Sequence, residues 1–237
     1  MDKSRTTHED TTASQQLGRL VRRMLAFPAK LELLAFVLIL YLLLLAACGG
    51  NNSNPYNIPA IGVGQWADFG TGTGSGFTGQ LSNPFQFPTQ ASRKSVNYVY
   101  TRPAGAVSVG QTVTLVFQID GDAVYGAADS KETCPCHVGL LIWRAGDDLS
   151  GNSAFGSYRF FSRSTAPLQP GTQKLSVLLD PSLWMNVWGQ SDPGNFSAAL
   201  DSVAYIGFTF GGIYFAGHGV WTTSDNAVFT IKSYTVQ

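Results

Sequence analysis

Cysteine is scarce in this chain: Cys48, Cys134 and Cys136 are the only three among 237 residues. That excludes a small disulfide-framed scaffold, and also a zinc ribbon, which needs two separated cysteine pairs. Charge is sparse at 13% and evenly balanced, with 15 Lys and Arg against 15 Asp and Glu. With no basic excess there is no electrostatic footprint for nucleic acid, and no acidic tail is present. Histidine is limited to His8, His137 and His218. No G-x-S-x-G elbow occurs, so a serine hydrolase of that kind has no recognisable nucleophile. Beyond Cys48 there is one glutamate, Glu132, alongside ten aspartates, and no pair of carboxylates stands out for glycoside cleavage. No internal repeat of the length used by solenoids or propellers is found. The residue inventory therefore argues against an enzyme and implies neither a cofactor nor a metal.

Against these absences stands one long apolar run, the fifteen residues Leu33–Ala47. As a helix it would rise about 22 Å, short of the roughly 30 Å of a bilayer core. It is closer to the core of a signal peptide. Arg19, Arg22, Arg23 and Lys30 precede it, and no Lys or Arg follows until Arg93. That asymmetry holds the N-terminus in the cytoplasm and sends the remainder across the membrane. The run ends in Leu45-Ala46-Ala47-Cys48, which resembles the lipobox of bacterial lipoproteins. The resemblance implies cleavage before Cys48 and acylation of its sulfur. Gly49 follows, not the aspartate that resembles an inner-membrane retention signal, which leans towards the outer membrane or cell surface. An uncleaved signal anchor is the rival reading, because the region before Leu33 is long and Glu32 lies at its edge. A start at Met24 would leave a more ordinary leader, MLAFPAKLE.

The chain then divides into a polar, disordered tail at 1–30, a hydrophobic signal or anchor helix at 31–48, a tether at 49–60 and a single domain at 61–237. The tether, GGNNSNPYNIPA, carries Gly, Asn, Ser and Pro in place of hydrophobes. The domain is long enough for a proper core. From residue 49 onward nine Lys and Arg face eleven Asp and Glu, a net charge of −2.

Strand signals recur along this domain with turns between them. Ile61–Phe69 is the first. The glycine-rich GTGTGSGFTGQ at 70–80 lacks both the Gly-Lys-Ser/Thr of a phosphate loop and a βαβ context, and reads as a flexible surface loop. Val96, Tyr98 and Tyr100 alternate with Asn97, Val99 and Thr101. Val113, Leu115, Phe117 and Ile119 form the cleanest period-two strand, closed by the turn Asp120-Gly121-Asp122. Val138–Trp143 is apolar on both faces, which predicts a central strand covered on both sides. Tyr158–Phe161, Leu175–Leu179, Ala204–Phe210 and Ala227–Val236 complete the set. Two helical turns are expected, one over Pro181–Val187 behind an Asp180 cap and one over Phe196–Ser202. The pattern predicts an all-β fold, an antiparallel jelly-roll β-sandwich with short helical turns, preceded by the N-terminal hydrophobic helix. An immunoglobulin-like sandwich ranks second, for want of its inter-sheet cysteine pair.

Cys134-Pro135-Cys136-His137 is the most unusual local cluster. Zinc would need a fourth ligand and a wider cysteine spacing. If Cys48 is acylated, Cys134 and Cys136 are left as a pair in an oxidising compartment. A disulfide between them requires the backbone to turn, which Pro135 favours; free thiols are the alternative. Asp120, Asp122 and Asp129 fit no standard calcium loop and read as turn residues. His218, in Gly217-His218-Gly219, reads as part of a turn.

Aromatic residues are the better functional lead. All five tryptophans, Trp66, Trp143, Trp184, Trp188 and Trp221, follow the apolar run. An exposed indole can stack on a sugar ring while Asp or Arg bonds its hydroxyls. Three or more are expected to pack the core. Trp143, Arg144, Trp221, Asp120 and Asp122 are the candidate ligand-binding residues. SLWMNVWG at 182–189, VAYIGFTFGG at 203–212, GHGVW at 217–221 and AVFTIKSYTV at 227–236 together are similar to the C-terminal half of galactose-binding-like jelly-roll modules. That resemblance implies a fold rather than a ligand. The expectation is a membrane-anchored, extracytoplasmic sandwich that holds lipid through its anchor and binds carbohydrate or another surface ligand without catalysis. The alternatives are an envelope assembly protein with a protein partner, or a hydrolase of envelope polymers.

Overall fold

A computed structural model describes residues 58, 60–72, 75–121, 123–127, 133, 135–147, 149, 155–212, 217–224 and 226–237. The tail, the apolar run, Cys48, most of the tether, Asp122 and Cys134 lie outside the described residues. No helix among the described residues is long and apolar enough to cross a membrane.

The chain is built from strands Trp66–Gly72 (β1), Ser75–Leu81 (β2), Phe85–Gln86 (β3), Ser95–Thr101 (β4), Thr112–Asp120 (β5), Tyr125–Ala127 (β6) and His137–Arg144 (β7). Arg159–Pro167 (β8), Gly171–Leu178 (β9), Trp184–Asn186 (β10), Val203–Gly211 (β11), Val220–Thr222 (β12) and Val228–Val236 (β13) follow. One α-helix, Pro193–Leu200 (α1), lies among the described residues. The strands form two antiparallel sheets. The larger runs β10-β8-β7-β11-β4-β1-β2, with β12 bridging β4 to β6; the smaller runs β3-β13-β5-β9.

Alternation explains how the sheets meet. On β5, Val113, Leu115, Phe117 and Ile119 are buried while the residues between them are not. Val99, Leu140, Ile142, Ile206 and Phe208 of the large sheet join Leu115, Phe117, Leu175 and Phe229 of the small one in a single apolar cluster. The result is a two-layer β-sandwich, as the alternating pattern predicts. Phe229 holds its centre, stacked on Phe117 at 4.8 Å and on Phe208 at 5.3 Å between ring centroids.

The outer face of the large sheet is also covered. Phe69, Tyr98, Tyr100, Leu141, Trp143 and Phe161 form a second cluster, closed over by Ile58, Ile61 and Leu149. This explains why β4 is buried along its whole length and why β7 reads as uninterrupted hydrophobic sequence. Beneath the cover, Arg159 Nε lies 2.7 Å from Asp147 Oδ2, and both side chains are buried. Arg159 Nη1 donates to the Tyr98 hydroxyl at 3.3 Å, and Asp147 Oδ1 accepts from the Leu149 N–H at 2.9 Å.

Three local expectations are corrected. The glycine-rich segment is not a surface loop: Gly70 and Gly72 belong to β1, and Gly76 and Gly79 to β2. Because β1 lies between β2 and β4, its main chain is paired on both sides. Those ladders offset the entropic cost of glycine. Pro181–Val187 is not a helix. Asp180 does cap a turn, accepting from the Ser182 N–H, but the turn ends at Leu183 and the chain extends into β10. That extension buries Trp184 against Phe196, with its indole N–H on the Leu178 carbonyl at 2.9 Å, and leaves Trp188 47% exposed. The two tryptophans therefore share no face. The second helical turn starts earlier than Phe196, because Asp192 accepts from the Asn195 N–H and Pro193 opens the first turn. The turn after β5 depends on Gly121: its φ is +87°, and a Cβ there would collide with the Asn226 carbonyl.

Candidate functional site

A cleft of about 520 Å³ opens between the two sheets, lined from the large sheet by Trp66, Thr101, Arg102 and Ile206 and from the small one by Ile231, Lys232 and Tyr234. Ligand pockets usually measure about 300–1,000 Å³. A second hollow of about 230 Å³ shares Gly64, Trp66 and Asn83 with it.

Local sequence decides each wall. Trp66 begins β1, half-buried, with its ring 5.6 Å from both Phe208 and Tyr234. Unlike Trp184 and Trp221, its indole N–H makes no hydrogen bond with the described residues. Tyr234 reaches across the sandwich, its hydroxyl donating to the Gly207 carbonyl at 3.0 Å. Burial pushes that phenol well above its ordinary range, so it stays a protonated donor.

Thr101 ends β4 only 5% exposed, and its Oγ1 has no hydrogen-bond partner. A buried hydroxyl left alone costs roughly 1–3 kcal/mol, and this one is closed off from the open space of the cleft. The next residues, Arg102–Val107, form the rim, with Pro103, Ala104, Gly105 and Ala106 offering little bulk.

The opposite wall is shaped by a β-bulge. Ile231 pairs with Phe117 and Ser233 with Val116, so Lys232 is an extra residue in β13. Before the bulge Phe229 and Ile231 point inward; after it Tyr234 and Val236 are the partly buried positions. Asn83 holds the bulge in place: its Nδ2 donates to the Ile231 carbonyl at 2.9 Å, and its Oδ1 accepts from the Ile231 N–H at 2.8 Å.

The residues expected from sequence to bind ligand are scattered. Trp143 is 1% exposed within the outer-face cluster, and Trp221 is 7% exposed on β12, its ring against Gly126 and its indole N–H on the Ala127 carbonyl. Neither ring offers a free face in this structure. Arg144 at the end of β7 donates through Nε to Ser202 Oγ, and its guanidinium sits 4.8 Å from the Tyr158 ring centroid. Asp120 is exposed at the end of β5 and accepts from Gln118 Nε2. Asp122 lies outside the described residues. Cys136 is disulfide-bonded, and the other two cysteines of the chain, Cys48 and Cys134, lie outside the described residues. Among the described residues no group of three His, Cys, Asp or Glu side chains could hold a metal ion.

The cleft residues Trp66, Thr101, Arg102, Lys232 and Tyr234 escape a reading based on motifs. One signal was present: the inward hydrophobes of the last strand slip phase by one residue between Ile231 and Tyr234, which marks a bulge. No family model matches this chain, and no curated protein matches its sequence.

Proposed function

We propose that this is an exported, lipid-anchored jelly-roll protein of the cell envelope that binds carbohydrate without catalysis. The observation that carries the reading is the inter-sheet cleft, where a half-buried indole with an uncommitted N–H forms part of the wall. An indole in a cleft of this size suits a sugar, which presents an apolar C–H face to a ring and a hydroxyl edge to its N–H. The disulfide at Cys136 is in keeping with an oxidising compartment. With Cys48 acylated, Cys134 is the cysteine left to close it.

The test is isothermal titration of the full chain in detergent against a panel of neutral and acidic oligosaccharides. Trp66→Ala is expected to weaken the strongest binder about tenfold or more. Trp66→Phe, which keeps packing against Phe208, guards against a mere folding defect. Absence of saccharide binding across the panel overturns the reading. Intact mass of membrane-extracted protein tests the anchor: a diacyl or triacyl Cys48 terminus is expected, and an intact leader favours the uncleaved anchor. A second reading, an envelope assembly protein with a protein partner, is favoured by Trp188, which is 47% exposed and lies outside the cleft.

A further inference from the structure

We infer that β2 is the pairing edge of a homodimer: two copies of this chain join β2 to β2, antiparallel, into one continuous sheet. The inference does not depend on the carbohydrate reading, and either can fail without the other.

β2 closes one end of the larger sheet, and among the described residues no strand pairs with its outer side. Water can satisfy the main-chain N–H and C=O groups of a strand edge, so openness alone points to no partner. The other open edges, however, are each guarded. β6 and β10 are three residues long, and β3 is two, set between Pro84 and Pro88. The part of β8 beyond its pairing with β10 carries exposed Arg163 and ends at Pro167. β9 carries exposed Lys174. β13, which β3 covers only at Val228 and Phe229, carries Lys232 at its bulge.

β2 has none of these devices. Its seven residues, SGFTGQL, include no charge and no proline, and its ladder to β1 runs from Trp66↔Leu81 to Gly72↔Ser75 without a bulge. Gly76 and Gly79 give it little side-chain bulk where another backbone would come alongside. The charge pattern also selects the occupant. Antiparallel pairing about a two-fold axis sets a strand against its own copy, residue i on j and j on i. At the edges of β8, β9 and β13 such pairing would bring like charges together, which is destabilising. β2 meets its own copy without that cost.

The test is sedimentation velocity of the full chain in excess detergent, from about 1 to about 100 μM, with hydrogen exchange followed over the same range. A dimer is expected with a dissociation constant on the order of micromolar, as suits a small interface. Amide exchange in Ser75–Leu81 is expected to slow as the dimer fills, while exchange in β9 stays constant. Gln80→Lys, at an exposed position, gives β2 the guard that the other long edges carry. It is expected to weaken the dimer about tenfold or more with an unchanged urea midpoint for the monomer. Gln80→Asn adds no charge and is expected to dimerise as wild type does. A chain that stays monomeric throughout the range overturns the inference, as does a dimer whose Ser75–Leu81 amides exchange at the monomer's rate. A Gln80→Lys dimer as tight as wild type also overturns it.

Discussion

Phe208 and Tyr205 stand on opposite faces of the same strand, and their surroundings differ in kind. Phe208 faces the inter-sheet core, among Phe210, Phe229 and aliphatic side chains. Tyr205 faces the outer cluster, against Tyr100 at 5.0 Å and Trp143 at 5.1 Å. The outer cluster also contains a buried Arg–Asp pair and a Tyr100 hydroxyl without a partner. Apolar burial is non-directional and supplies most of the favourable energy of folding. A buried ion pair costs desolvation and returns little net stability, but it is directional. The inner face therefore holds the sandwich together. The outer face locates a particular segment, tying Asp147 and Leu149 over the sheet.

Mutations on the two faces separate these roles. Phe229→Ala should have the largest effect, about 3–5 kcal/mol, because it removes the ring on which both sheets stack. Urea unfolding of the full chain measures it, and a loss below about 2 kcal/mol would mean that the inner face is not the main source of stability. Asp147→Asn keeps the acceptor for Leu149 but withdraws the charge beside Arg159. The expected loss is about 2–3 kcal/mol, with increased protease cleavage near residues 145–158 as the specific readout. If unfolding and cleavage both match wild type, the pair does not hold the cover. Tyr100→Phe should be the smallest, within about 1 kcal/mol of wild type and on the stabilising side, since the hydroxyl it deletes has no partner. A larger loss by the same unfolding measurement would show that the hydroxyl is satisfied in solution.

How each face of a strand is covered decides whether the strand is legible in the sequence. β5 declares itself because one side of it faces the core and the other faces solvent, so burial and sequence share a period of two. β7 declares itself by its opposite character, continuous apolarity, because both faces are covered. β2 did not, since glycine carries no side-chain signal and its pairing with β1 is made entirely by main-chain groups. The short strands β3, β6 and β12 span two or three residues and leave no period to read. The site was harder still. Trp143 and Trp221 are tryptophans, yet residue type does not reveal burial, and the half-buried indole that lines the cleft is Trp66.

What the chain order and composition determine alone is a partition of the sequence: an apolar run with cations before it, then a strand-rich stretch poor in charge. Hydropathy and strand alternation depend on the residues themselves and on neighbours one or two positions apart, so they can be read along the line. Only tertiary structure decides the cleft. Thr101 and Lys232 lie 131 positions apart, and they line one cavity only because the packed sheets set the end of β4 and the bulged stretch of β13, clamped by Asn83, around it. A cavity between two sheets is a property of how their faces diverge, and no segment taken by itself contains it.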